Sequence, residues 1–122
     1  MFHPHRCIHT YVHQHRIGAL VEFGLSTDFA ARTDEFAEFA REVSLQVAAM
    51  APVDVAALLA QPSIKRADAT IGELLAVLSA QLGEPVAVTR FVRWSVEDAP
   101  VRQEEPDPSH PTASAATLRA AS

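Results

Sequence analysis

A chain of 122 residues with 48% hydrophobic side chains carries enough apolar surface for one core and argues against two independent domains. Ten Lys and Arg against fifteen Asp and Glu leave a net charge of −5 and an isoelectric point near 5.6, so no basic field is available to hold a nucleic-acid backbone. Cys7 is the single cysteine, which excludes an internal disulfide and a four-cysteine zinc site and fits a reducing compartment.

Taken in chain order, residues Cys7 to Val12 are rich in β-formers, and Ile17 to Phe23 form a second extended run. The polar joint His13-Gln-His-Arg16 between them predicts a hairpin. Thr33-Asp-Glu then opens a segment with Phe36, Phe39, Ala40, Val43 and Val47 at helical spacing. Thr33 is the cap candidate, two acids lie at the positive end of the helix dipole, and the helix is expected to run to about Met50, before Pro52. A short helix is predicted at Val55 to Ala60, cut by Pro62. Thr70-Ile-Gly-Glu73 has capping-box spacing, Ile71, Leu74, Leu75, Leu78 and Leu82 make an apolar stripe, and Gly83 stands where a C-cap glycine belongs.

After Pro85, Val86 to Val96 reads as a third strand, with Val86, Val88, Val92, Trp94 and Val96 on one face and Ala87 and Phe91 on the other. Both faces of that strand are then partly apolar, which points to a partner on the face that helices leave open, a second copy of the chain being the expected one. The fold class that follows is α+β, a small three-stranded antiparallel sheet with helices packed on one face. Residues 1–98 form the core domain, with 1–6 as a histidine-rich arm. Residues 99–122, with four prolines among acids, Ser, Thr and Ala, are expected to be a disordered acidic tail. The N-terminus lacks a basic stretch followed by an apolar run, and no segment reaches the roughly 18 apolar residues of a membrane span, so a cytoplasmic location is expected.

Three stretches are more specific than fold class. They are Tyr11-Val-His-Gln-His-Arg-Ile-Gly-Ala-Leu-Val-Glu22; Ser26-Thr-Asp-Phe-Ala-Ala-Arg-Thr-Asp-Glu-Phe36; and Leu58-Leu-Ala-Gln-Pro-Ser-Ile-Lys65 followed by Thr70-Ile-Gly-Glu-Leu-Leu75, Gln81-Leu-Gly-Glu84 and Arg90-Phe-Val-Arg93. In this order and spacing, over about residues 10 to 97, they resemble translation elongation factor Ts. The resemblance implies a protein that binds elongation factor Tu and promotes release of its GDP, with no bond made or broken and no cofactor. It also implies a partner-binding set of Thr27, Asp28, Phe29 and Arg32, the Asp and Phe being pushed toward the magnesium and phosphate site of the GTPase.

Departures from the family pattern accompany the matches. The small helical N-terminal domain of the family is expected to be missing, the long insert after Pro52 is reduced to a few residues, and the glycine-rich hairpin turn is shortened to Gln14-His15. The Asn-Cys-Glu or Asn-Cys-Gln that precedes Thr-Asp-Phe is replaced by Gly24-Leu25-Ser26. A reduced core module follows from these, either an exchange factor or a protein-interaction module without exchange activity.

On physical grounds alone, Phe29 on a connection either folds back under the next helix, the commoner outcome for a large aromatic, or meets a partner; the resemblance reverses that expectation. His3, His5, Cys7, His9, His13 and His15 share odd numbering, and histidines with a thiolate are good ligands for zinc or copper. The hairpin turn breaks the parity, and no carboxylate or second cysteine stands at fixed spacing, so no metal site is assigned and a histidine-rich metal-binding protein is the weaker alternative. Cys7 and His9 share a strand face with no third group to orient the imidazole, which gives nucleophilic catalysis no support. Arg90 and Arg93 flank Phe91, with Trp94 beyond, either as a solvated sheet face with one aromatic in the core or as a contact surface.

Overall fold

The structure, a computed structural model, describes residues 3–98. The tail expected at 99–122 lies outside the described residues, as do Met1 and Phe2 of the arm. The elements in order are β1 (His5–His13), β2 (Ile17–Leu25), α1 (Asp28–Ala31), α2 (Asp34–Met50), α3 (Val55–Ala60), α4 (Ile71–Leu82) and β3 (Ala87–Ser95). The strands form one antiparallel sheet in the order β1-β2-β3, and the helices pack on one face of it, the predicted α+β class. Because β1 begins at His5, His5 and Arg6 belong to the sheet rather than to an arm.

Local chemistry sets the helix ends. Thr33 caps α2 by accepting the Phe36 N–H, and Ala51 closes it in the left-handed region at φ 47°, just before Pro52. Asp54 caps α3 through the Ala57 N–H. Thr70 and Glu73 complete a reciprocal capping box on α4, and Gly83 at φ 70° ends it. Helix α2 is the spine: Phe36, Phe39, Ala40, Val43 and Val47 are buried against Ala19, Val21, Phe23 and Leu25 of β2. Phe23 meets Phe36 edge-on at 5.3 Å and Phe39 at 6.2 Å between ring centroids. The buried Gln46 amide fastens the connection between α3 and α4, donating to Gln61 Oε1 and Pro62 O and accepting from the Ile64 N–H.

The β3 strand departs from simple alternation. Glu22 pairs with Arg90 but Phe23 pairs with Val88, so Thr89 is an extra residue in a bulge. The bulge reverses the parity of the strand: Val86 and Val88 are buried under the helices, whereas Val92, Trp94 and Val96 lie exposed on the opposite side. The five residues expected on one face are therefore divided between two. Phe91 packs against the core, and Arg93 reaches the C-terminal end of α2, its Nε donating to the Ala48 carbonyl at 2.9 Å.

On the side of the sheet away from the helices, Ile8, Leu20, Val92 and Trp94 are exposed, Trp94 by 75%. Glu22 lies beside them with its side chain only 10% exposed. The bulged Thr89 hydroxyl lies 2.7 Å from Glu22 Oε1 and donates to it, Arg90 donates to Oε2 at 3.1 Å, and Arg6 stands 3.9 Å away. These partners, the Thr89 hydrogen bond foremost and then the Arg90 guanidinium, hold the Glu22 carboxyl below its ordinary range. His3 lies over Gly24, where an added Cβ would come within 2.7 Å of the His3 Cβ, so the smallest residue is needed there.

Two measurements test this packing. Gln14 and His15 turn the β1–β2 hairpin with φ of 51° and 60°, and the Arg16 N–H closes the turn on the His13 carbonyl. Left-handed backbone costs an L-residue more than it costs glycine, so His15→Gly should stabilise the fold by about 0.5–1 kcal/mol, read as a rise of a few degrees in Tm. A carboxyl whose folded pKa is depressed stabilises the fold above its unfolded value, ordinarily 4.5, and that contribution disappears as pH falls through the folded pKa. Urea midpoints measured from neutral pH to about pH 3 should therefore fall less in Glu22→Gln than in the wild type.

Candidate functional site

The connection from β2 to α2 carries the residues singled out at 27–32. Leu25 at the end of β2 and Phe36 in the first turn of α2 are both fully buried, so the chain between them must cross the rim of the core. It does so as the single turn α1, whose Ala30 is buried and whose Phe29 is 74% exposed. The core positions that Phe29 would need are occupied, so the aromatic ring stands in solvent rather than under α2. A lone exposed phenylalanine is unremarkable in itself; one on a backbone fixed at both ends is a preformed contact.

Two threonines fix that backbone. Thr27 is the N-cap of α1, its hydroxyl accepting the Ala30 N–H at 3.2 Å. Thr33 donates its hydroxyl to the Ala30 carbonyl at 2.8 Å while capping α2, so α1 is tied to the helix that follows. Asp28 and Arg32 lie one turn apart with 3.3 Å between Oδ2 and Nη2, both largely exposed. The structure thus brings Thr27, Asp28, Phe29 and Arg32 together on one small projection: a carboxylate, a guanidinium and an aromatic ring open to solvent, with the capping threonine, also exposed, at its start. A projection of this make-up can insert a ring into a partner's groove and compete for polar groups at its edge.

Sequence reasoning missed α1 itself, because four residues carry no periodicity. It also missed Glu84, whose carboxylate accepts from the Ser26 and Thr27 N–H groups at 3.0 and 3.1 Å and from the Thr27 hydroxyl at 2.8 Å. The only signal was that Gln81-Leu-Gly-Glu84 was one of the words carrying the family resemblance.

The histidine-rich stretch is spread over several environments. Cys7, His9 and Tyr11 face the helices and are half-buried. His9 packs edge-on against Phe23 and Phe36, and burial followed by the Arg41 charge pushes its pKa down. Burial, aided by Glu22, pushes the Cys7 thiol up, away from the thiolate that ligation or nucleophilic attack requires. His13 stacks on Tyr11 and His15 is in the turn. Among the described residues, no three His, Cys, Asp or Glu side chains come together as a metal set. No helix among them is long and apolar enough to cross a membrane.

The family model described as Elongation factor TS matches residues 26–103. Elongation factor Ts of Coprothermobacter proteolyticus is 32% identical over 135 residues, covering 73% of this chain and 68% of the relative. That of Rubrobacter xylanophilus is 33% identical over 135 residues, covering 73% and 69%. Because 135 aligned positions exceed the 122 residues of the chain, both relatives carry internal residues with no counterpart here. That of Burkholderia multivorans is 44% identical over 77 residues, 63% of this chain but only 25% of the relative. The capped projection at 27–32, the helix words after it and the last strand lie within the matched residues 26–103, and the chain belongs to the elongation factor Ts family.

Proposed function

We propose that this chain is a cytoplasmic exchange factor that binds elongation factor Tu and promotes release of GDP. The observation that carries the reading is Phe29, 74% exposed on a projection whose backbone is capped at both ends, in a chain of the elongation factor Ts family. A translational GTPase holds GDP by its phosphates and a magnesium ion. A ligand that binds the GTPase better when that arrangement is disturbed accelerates release by that difference in affinity. Phe29 supplies an apolar wedge and Asp28 a carboxylate that competes for groups arranging the magnesium site. Arg32 balances Asp28 until a partner engages it, at little cost for so exposed an ion pair. Thr27 keeps the wedge in place. The protein makes and breaks no bond in this scheme.

Release of fluorescent GDP from elongation factor Tu, followed by stopped flow, tests it. The wild type should accelerate release, Phe29→Ala should lose on the order of tenfold of that acceleration with Tm unchanged, and Asp28→Ala should lose less. Binding without acceleration at saturating wild-type protein would establish the interaction module without exchange activity instead.

The open sheet face supports a second proposal, that two copies associate through it. Ile8, Leu20, Val92 and Trp94 form an exposed apolar surface on the side that no helix covers. Light scattering should give a dimer at high protein concentration, and Trp94→Glu should return it to monomer; a wild type that stays monomeric at high concentration contradicts the association.

A further inference from the structure

Glu84 is built as a rigid arm. Gly83 ends α4 in the left-handed region, and the Glu84 N–H is anchored on the Ser79 carbonyl at 3.2 Å. Pro85 follows, and then Val86, buried, with its N–H on the Ser79 hydroxyl. From this platform the carboxylate crosses to the start of the projection, where one oxygen takes two backbone N–H groups and the other takes the Thr27 hydroxyl.

Three donors converge on a group that can only accept, so each is satisfied without competition. The consequence reaches further than Thr27. With its proton committed to Glu84, the Thr27 hydroxyl has its lone pairs directed to the Ala30 N–H, which is the cap that starts α1. Helix α1 is a single turn and is far too short to hold its shape by itself. Its one buried side chain is Ala30, so little apolar packing fixes it either. The shape of the projection therefore depends on two polar ties, the chain Glu84, Thr27, Ala30 at its start and the Thr33 hydroxyl on the Ala30 carbonyl at its end.

We propose that Glu84 is a positioning residue that holds the Thr27–Arg32 projection in the conformation that engages the GTPase, without itself touching that partner. This rests on the elongation factor Tu reading above and adds to it a residue from the far end of α4. If freeing the turn leaves its competent shape populated only a tenth of the time, apparent affinity falls by that same factor while the core stays folded.

The experiment compares wild type, Glu84→Ala, Glu84→Gln, Phe29→Ala and the Glu84→Ala/Phe29→Ala double variant by amide hydrogen exchange and by titration with elongation factor Tu. In Glu84→Ala the Ser26, Thr27 and Ala30 amides should exchange about tenfold faster or more, with Tm within a few degrees and affinity weaker by about tenfold. Glu84→Gln should be intermediate, since its carbonyl oxygen still takes the two N–H groups but its NH₂ cannot accept the hydroxyl proton. If Glu84→Ala melts much lower than the wild type, Glu84→Gln carries the comparison. On the Phe29→Ala background, Glu84→Ala should weaken binding no further. Unchanged exchange at Ser26 and Thr27, unchanged affinity, or a full additional loss in the double variant overturns the proposal. A wild type that does not bind overturns the partner reading, and the amide exchange then decides by itself whether Glu84 sets the turn.

Discussion

The contact of Phe23 with Phe36 and Phe39 is the constraint on which the remaining geometry depends. It joins the central strand to the first turns of α2, and with Leu25 and Phe36 both buried it fixes the two ends of the segment 26–33. A segment pinned at both ends by apolar burial, with Ala30 tucked into the seam between, has no room to bury a second large ring. Phe29 is outside because Phe36 and Phe39 are inside. The exposure that defines the candidate site is thus a result of core packing and not of local preference.

What keeps that exposed segment ordered is polar. Thr27 and Thr33 each donate one hydroxyl proton and accept one N–H, so each links the projection to a neighbour while capping a helix. The neighbour on one side is α2, and on the other it is Glu84 beyond α4. Elements far apart in sequence thereby converge on a four-residue turn. Hydrogen bonds of this kind contribute modestly to stability, about 1 kcal/mol each, but they decide which conformation a short exposed segment adopts. A preformed projection binds without first losing the entropy of ordering it.

Much of this was legible in the sequence for a local reason. Helix ends are written in adjacent residues, so Thr33, Pro52, Pro62, the Thr70/Glu73 box and Gly83 placed α2, α3 and α4 where they stand. The β3 face assignment failed on one residue: Thr89 is spent in a bulge, and a single extra residue reverses every position before it relative to those after. The bulged Thr89 meets its partner across the sheet, where the Glu22 carboxylate receives its hydroxyl, and no pattern within β3 reveals that contact. Whether Phe29 would be buried was open for the same reason, because the answer depended on which other aromatics filled the core. The Glu84 clamp joins residues 57 apart in sequence, and spacing rules do not extend that far. His9, one of a suggestive row of ligand residues, instead serves as an aromatic neighbour of Phe23 and Phe36.

The molecule presents two distinct surfaces, a small polar-rimmed projection with one aromatic and a broad apolar sheet face with Trp94. On the proposed function, the first of these is the one that meets the GTPase. Hydrogen exchange of the chain alone and in the presence of elongation factor Tu tests it most directly, because it maps contact without any substitution. New protection is expected at residues 26–32, with the strand residues around Leu20 and Val92 unchanged by the GTPase. Protection confined to the sheet face, with the amides of 26–32 exchanging as in the free chain, would contradict it.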